Sequence, residues 1–202
     1  MVIATEFLDT LELRELQSGV GEMLKVHIVD GPRSFDRIDA AYDAIFADRA
    51  VMLAFIRASL EIKKRLIEID EFDRGPRNLM NYGHSFGHAI EAATEFAVPH
   101  GIAVTIGADM ANYVAVRLGR MSEDKFRHMH PVLRKNYRDY ASAPVPIETF
   151  IGALGRDKKN LSGKFSLILP NRDAVLEKVD VPQTDGFRDF CIDFFDTQRS
   201  RA

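Results

Sequence analysis

Two histidines four residues apart carry the first chemical signal. They stand in Asn81-Tyr82-Gly83-His84-Ser85-Phe86-Gly87-His88-Ala89-Ile90-Glu91. On a helix that spacing points both imidazoles the same way. Catalytic Zn²⁺ commonly takes three His or carboxylate ligands and keeps one position open, so such a pair can begin a metal site. Alone, it is more often a polar helix edge. The HExxH metalloprotease pattern is absent, and a third ligand has to come from elsewhere. Arg77 and Asn81 lie seven and three residues before His84. If the helix extends back that far, Arg77, Asn81, His84 and His88 form one polar stripe. Gly83 and Gly87 run beside it. A mid-helix glycine costs about 1 kcal/mol relative to alanine, so two of them imply close approach by a ligand or another backbone. Twelve residues past His88 comes His100-Gly101, at a helix start after Pro99.

The elements that must position these groups are mostly helical. Phe7 to Ile28 reads as a short lead-in and a helix, broken near Gly31-Pro32. Asp36–Phe46 and Val51–Asp70 follow, the latter with Leu53, Ile56, Leu60, Lys63-Lys64 and Ile67 at a period near 3.6. Asn78–Phe96 reads as one helix ended by Pro99, and Gly101–Leu118 as a long apolar one stopped by Gly119. Ser122 caps a helix running to Asn136, with Glu123 and Asp124 in its first turn. A loop over Ser142–Pro146 leads to a short helix over Ile147–Leu154. The period then changes. Lys164–Leu169 and Ala174–Val179 read as two short strands around a turn. Phe187, Phe190, Cys191 and Phe194 mark a last amphipathic helix, suited to core packing or to a dimer contact. His27, His128 and His130 read as surface residues. Glu91 and Glu95 extend the histidine stripe, which helix polarity or a partner role to a histidine explains. The expected fold is one mainly α-helical domain over residues 1–202 with a small β-hairpin near the C-terminus.

Bulk properties narrow the function. A net charge of −3 offers no basic footprint for nucleic acid or an anionic membrane. No apolar run approaches the ~18 residues of a membrane helix. The first residues resemble neither a signal nor a transit peptide. One cysteine, Cys191, excludes an internal disulfide framework and fits a cytoplasmic location.

Five separated motifs then carry a resemblance. Gly21-Glu22-Met23-Leu24-Lys25, Glu61-Ile62-Lys63, Arg77 with Asn81 through Glu91, His100-Gly101, and Asp157-Lys158-Lys159 occur in the order and approximate spacing of the 3-dehydroquinate synthase family. That family is a branch of the sugar phosphate cyclases. Phe7-Leu8-Asp9-Thr10-Leu11 with Gly19 is similar to the opening of its C-terminal domain, and the likeness spans roughly residues 3 to 180. The resemblance implies Glu22, His84 and His100 as metal ligands for Zn²⁺ or Co²⁺. It makes His88, Lys25 and Lys63 catalytic, with His88 a proton-handling group rather than a ligand. It gives Arg77, Asn81, Lys158 and Lys159 to the substrate. Taken singly, Glu22 and Lys25 would be a surface pair, Lys63 a solvated helix residue and Lys158-Lys159 a plain loop.

The implied reaction is the shikimate-pathway conversion of 3-deoxy-arabino-heptulosonate 7-phosphate to 3-dehydroquinate and phosphate. It proceeds through transient oxidation by NAD⁺. The chemistry is consistent: a substrate bearing carboxylate and phosphate needs cations in a cleft, with Arg for bidentate carboxylate binding. Two positions depart from the family. Asp73 stands where Glu is usual before the Arg, and Ile102 where Glu usually follows His-Gly. Members that cyclise sedoheptulose 7-phosphate tend to alter the carboxylate-facing positions retained here, which favours the 3-dehydroquinate synthase branch. No glycine-rich βα turn for a pyrophosphate is present. The N-terminal NAD-binding domain is therefore expected to be absent from this chain, which would bind metal without turning substrate over. A homodimer, or association with an NAD-binding domain, is the expected assembly. Competing readings are a glycerol-dehydrogenase or iron-alcohol-dehydrogenase half, and a non-catalytic metal-binding helical module.

Overall fold

One helix is buried on every side, and the rest of the chain packs around it. α5 (His100–Arg117) is buried at every position from Gly101 to Ala115 in a computed structural model that describes residues 6–72, 75–156 and 163–199. A helix buried all round is stable only when surrounded, and its Thr105, Asp109 and Asn112 are buried with it. α1 (Leu13–Asp30), α4 (His84–Ala93), α6 (Glu123–Asn136), the strand β1 (Lys164–Pro170) and α8 (Asp185–Asp193) pack against it. α2 (Pro32–Ala47) and α3 (Arg49–Ile69) form a second layer over α1, and α7 (Ile147–Gly155) covers α4. The described residues are thus mainly α-helical, with one antiparallel hairpin of β1 and β2 (Leu176–Pro182).

Local chemistry sets the boundaries. α2 starts at Pro32 rather than Asp36, because proline suits a helix's first turn and Gly31, at φ 115°, makes the corner. α3 begins after Asp48, whose carboxylate accepts the Ala50 N–H at 2.7 Å. The single helix expected over Asn78–Phe96 is instead two pieces. A 3₁₀ turn covers Pro76–Asn81, Gly83 takes a left-handed φ of 76°, and α4 begins at His84. The hairpin register runs from Lys164 opposite Pro182 to Pro170 opposite Leu176. The second strand starts two residues later than expected because the Asn171 side chain closes the turn. Its Oδ1 accepts from the Asp173 and Val175 N–H groups, and Ala174 sits at φ 60°. Phe187, Cys191, Phe194 and Phe195 are all buried, so the last apolar face belongs to the chain's own core.

Glycines bring α5 into backbone contact with two neighbours. A Cβ on Gly101 would lie 1.9 Å from the Ser18 carbonyl oxygen, and one on Gly21 2.3 Å from the Gly101 oxygen. On the other side, a Cβ on Gly107 would lie 2.2 Å from the Gly83 oxygen, and one on Gly87 3.0 Å from the Val104 Cα. The group approaching Gly83 and Gly87 is therefore the backbone of α5.

Candidate metal site

Four of the contact glycines are next in sequence to a candidate functional side chain: Gly21 to Glu22, Gly83 to His84, Gly87 to His88, and Gly101 to His100. The two helix crossings thereby gather groups from α1, α4 and α5. Glu22 Oε1 stands 3.7 Å from His84 Nε2 and 3.9 Å from His100 Nε2. His88, more exposed, has its ring centroid 5.3 Å from that of His84 and 5.7 Å from that of His100. The three histidines can each present a ring nitrogen within 4.8 Å of the others.

Hydrogen bonds orient the rings. His84 Nδ1 faces the Tyr82 carbonyl at 3.3 Å. A carbonyl only accepts, so this contact favours the Nδ1–H tautomer and leaves Nε2 with a free lone pair. His100 Nδ1 faces both Glu91 oxygens, at 3.1 and 3.2 Å, with the same consequence. Burial pushes His84 down to about 4, and the Lys25 charge adds to this, so its imidazole is neutral near pH 7. Lys25 is only 4% exposed and bonds Glu22 Oε2 at 3.0 Å, so the pair lies in the interior rather than on the surface. Burial lowers the Lys25 ammonium. Burial would raise the Glu22 carboxyl, but the charge and hydrogen bond of Lys25, with His84 and Lys63, outweigh it and hold it below its ordinary value.

These residues fit a divalent cation. Glu22 Oε1 is buried and has no hydrogen-bond partner, an arrangement costly for a carboxylate oxygen unless a cation completes it. Bonds of about 2.0–2.1 Å in a tetrahedral Zn²⁺ site place donors roughly 3.4 Å apart. The Glu22-to-histidine separations exceed that by only a few tenths of an ångström.

The other expected site residues fall less neatly. Lys63 and Glu22 line one pocket of about 230 Å³ between the Glu6–Thr10 turn, α1 and α3. Arg77 and Asn81 sit on the 3₁₀ turn and do not continue the α4 stripe. The Arg77 guanidinium donates to the Glu71 carbonyl at 2.7 Å, and the Asn81 amide to the Asn78 carbonyl at 3.0 Å. Lys158 and Lys159, like Asp73, lie outside the described residues. Ile102 is fully buried.

Two histidines read as surface residues are not. His27 is 1% exposed and its Nδ1 is 2.7 Å from the Ser34 hydroxyl, because α2 and α3 cover that side of α1. His130 Nδ1 lies 2.8 Å from the fully buried Asp109 carboxylate on α5. His128 is exposed, against Asp36. The Glu91 contact with His100 joins two helices; its one sequence signal is its place seven residues after His84.

Solved structures share this fold. A solved 2-epi-5-epi-valiolone synthase from Streptomyces hygroscopicus subsp. jinggangensis 5008, with NAD⁺ and Zn²⁺ bound, superposes with a TM-score of 0.76 at 24% identity. The match covers 92% of this chain and 52% of that one. A 2-deoxy-scyllo-inosose synthase complexed with carbaglucose-6-phosphate, NAD⁺ and Co²⁺ gives a TM-score of 0.70 at 18% identity, covering 92% and 54%. At these identities the likeness establishes the fold. Residues 19–160 match the family model for the 3-dehydroquinate synthase C-terminal region, and the chain belongs to that family. The 3-dehydroquinate synthase of Rhizobium leguminosarum bv. trifolii is 36% identical over 173 residues, covering 82% of this chain and 46% of that protein. The one from Alkaliphilus metalliredigens is 33% identical over 181 residues, covering 89% and 51%. The chain thus spans about half the length of the curated relatives it matches. No helix among the described residues is long and apolar enough to cross a membrane.

Proposed function

We propose that Glu22, His84 and His100 hold one divalent metal, Zn²⁺ or Co²⁺, in the metal- and substrate-binding half of a 3-dehydroquinate synthase. The substrate is 3-deoxy-arabino-heptulosonate 7-phosphate. The observation that carries the metal set is the buried, unpartnered Glu22 Oε1 facing two Nε2 atoms. His88 reaches the same cluster, and as the family resemblance implies it moves protons rather than holding the metal. Lys25 and Lys63 bring positive charge to the Glu22 side of the site. Arg77 and Asn81, with Lys158 and Lys159, take the substrate's carboxylate and hydroxyls. Arg77 suits this role because a guanidinium grips a carboxylate bidentately. A bound metal supplies a Lewis acid for adjacent substrate hydroxyls. Hydride transfer belongs to an NAD-binding half, as the relatives' additional length allows. A cytoplasmic location and a homodimer, or assembly with that half, accompany this reading.

The test is metal titration of the purified chain, followed by mixing with the NAD-binding half of a relative. One Zn²⁺ or Co²⁺ per chain is expected, lost in Glu22→Ala and His84→Ala. The chain alone should form no dehydroquinate, and the mixture should form it. Undiminished binding in both variants, or turnover of the heptulosonate phosphate by the chain alone, refutes the proposal. Turnover of sedoheptulose 7-phosphate instead would move the protein to another cyclase branch.

A further inference from the structure

We infer that Glu91 is a positioning residue that fixes the tautomer and donor strength of His100. The inference rests on the metal reading of the preceding section. Glu91 is 8% exposed on α4, and its two carboxylate oxygens lie 3.1 and 3.2 Å from His100 Nδ1. A buried carboxylate demands a partner, and here the imidazole N–H is the donor it faces. The contact commits Nδ1 to carrying the proton and turns the Nε2 lone pair toward Glu22. A free neutral imidazole prefers the opposite tautomer, so His100 without Glu91 would tend to present an N–H to a cation.

The two histidines differ in how they are held. His84 leans on a neutral carbonyl at 3.3 Å, whereas His100 leans on a carboxylate. A carboxylate makes the imidazole a stronger donor than a carbonyl does, and such outer partners typically change metal affinity 10–100-fold. His100 needs the support more. It is the first residue of α5, it follows Pro99, and its side chain is 47% exposed against 18% for His84. Glu91 lies on the helix that carries His84, so one rigid element holds one histidine through the chain and the other through a side chain.

The experiment compares Glu91→Gln and Glu91→Ala with the parent chain by two measurements. Long-range ¹H–¹⁵N correlation on the metal-free protein reads the His100 tautomer. Chelator competition reads Zn²⁺ affinity. The parent should show the Nδ1–H form. Glu91→Ala should move His100 toward Nε2–H and weaken Zn²⁺ binding about 10–100-fold. Glu91→Gln, which keeps an accepting oxygen, should hold the tautomer and lose less affinity. A parent His100 already in the Nε2–H form, or Glu91→Ala with unchanged tautomer and affinity, overturns the inference. Failure of the metal reading is separable: Glu22→Ala and His84→Ala would then also leave Zn²⁺ binding unchanged.

Discussion

The Gly101→Ala substitution puts the backbone-contact argument at risk most directly. The added Cβ would stand 1.9 Å from the Ser18 carbonyl oxygen, 2.7 Å from its carbon and 2.9 Å from its hydroxyl. An ordinary carbon–oxygen contact is about 3.4 Å, so α1 and α5 must part by roughly 1.5 Å or tilt. The neighbours cannot absorb this by rotating a side chain, because the nearest atoms are backbone. Overpacking of this kind costs about 1–3 kcal/mol, offset by up to about 1 kcal/mol of helix propensity. The Gly101 N–H also loses its 2.9 Å bond to the Ser18 hydroxyl. Net destabilisation should therefore be about 1–3 kcal/mol, read as a lower urea midpoint for the metal-free chain.

The functional consequence is larger. Glu22 lies one helical turn beyond Ser18 on α1, and His100 adjoins Gly101 on α5. Parting the helices carries Glu22 Oε1 away from His100 Nε2, while metal–ligand distances tolerate only about ±0.2 Å. Zn²⁺ affinity should fall roughly 100-fold, the scale on which a misplacement of about 1 Å acts in a positioned site. Gly19→Ala is the control. It lies on α1, with nothing within 4 Å of its Cβ position. It should raise stability by about 0.5–1 kcal/mol and leave Zn²⁺ binding alone. If Gly101→Ala matches the parent in both midpoint and affinity, the reasoning fails.

Two further predictions concern charge in the interior. His84, held at about 4 in the folded chain against 6.5 ordinarily, resists protonation. The stability this protects is complete above pH 6.5 and is lost as pH falls toward 4, on the order of 3 kcal/mol; urea midpoints of the metal-free chain between those values should fall less steeply in His84→Ala. Asp109 is fully buried, and burial raises its carboxyl. It accepts from the Tyr137 hydroxyl at 2.5 Å and faces His130 at 2.8 Å. Asp109→Ala should cost about 3–5 kcal/mol by denaturant titration, because it strands both partners; Zn²⁺ affinity per folded chain should be unchanged, since the cluster touches none of Glu22, His84 or His100.

How much of this was readable from the residues alone varied with the range of the interaction. The apolar stretch of α5, the Ser122 cap and the Gly31-Pro32 corner are local, and they placed the helices within a few residues. The break between Asn81 and His84 is not readable from local sequence, even with a glycine at position 83. Its left-handed φ serves a contact with Val104, Gly107 and Ala108, which arrive from another helix. His27 and His130 failed for the same reason: a histidine's type is neutral between surface and interior, and its partners Ser34 and Asp109 belong to other helices. Glu22 could be assigned only through the family resemblance, since no spacing rule connects α1 to α4. Glu91 carried a helical-stripe signal, but its partner depended on how α4 meets α5.

The glycines explain why so dispersed a set of residues can make one site. A helix crossing mediated by side chains can slide, because rotamers adjust. A crossing in which backbone meets backbone has little such freedom, and α5 is enclosed on all sides, so it cannot move to accommodate a neighbour. The chain uses this type of contact beside each of Glu22, His84, His88 and His100. The positions of the donor atoms therefore follow from main-chain packing, and the side chains contribute the chemistry. Glu91 completes that division. His100 is the most exposed of the three proposed ligands, and backbone packing sets its Cα but not its ring. A carboxylate from the adjoining helix supplies the remaining constraint.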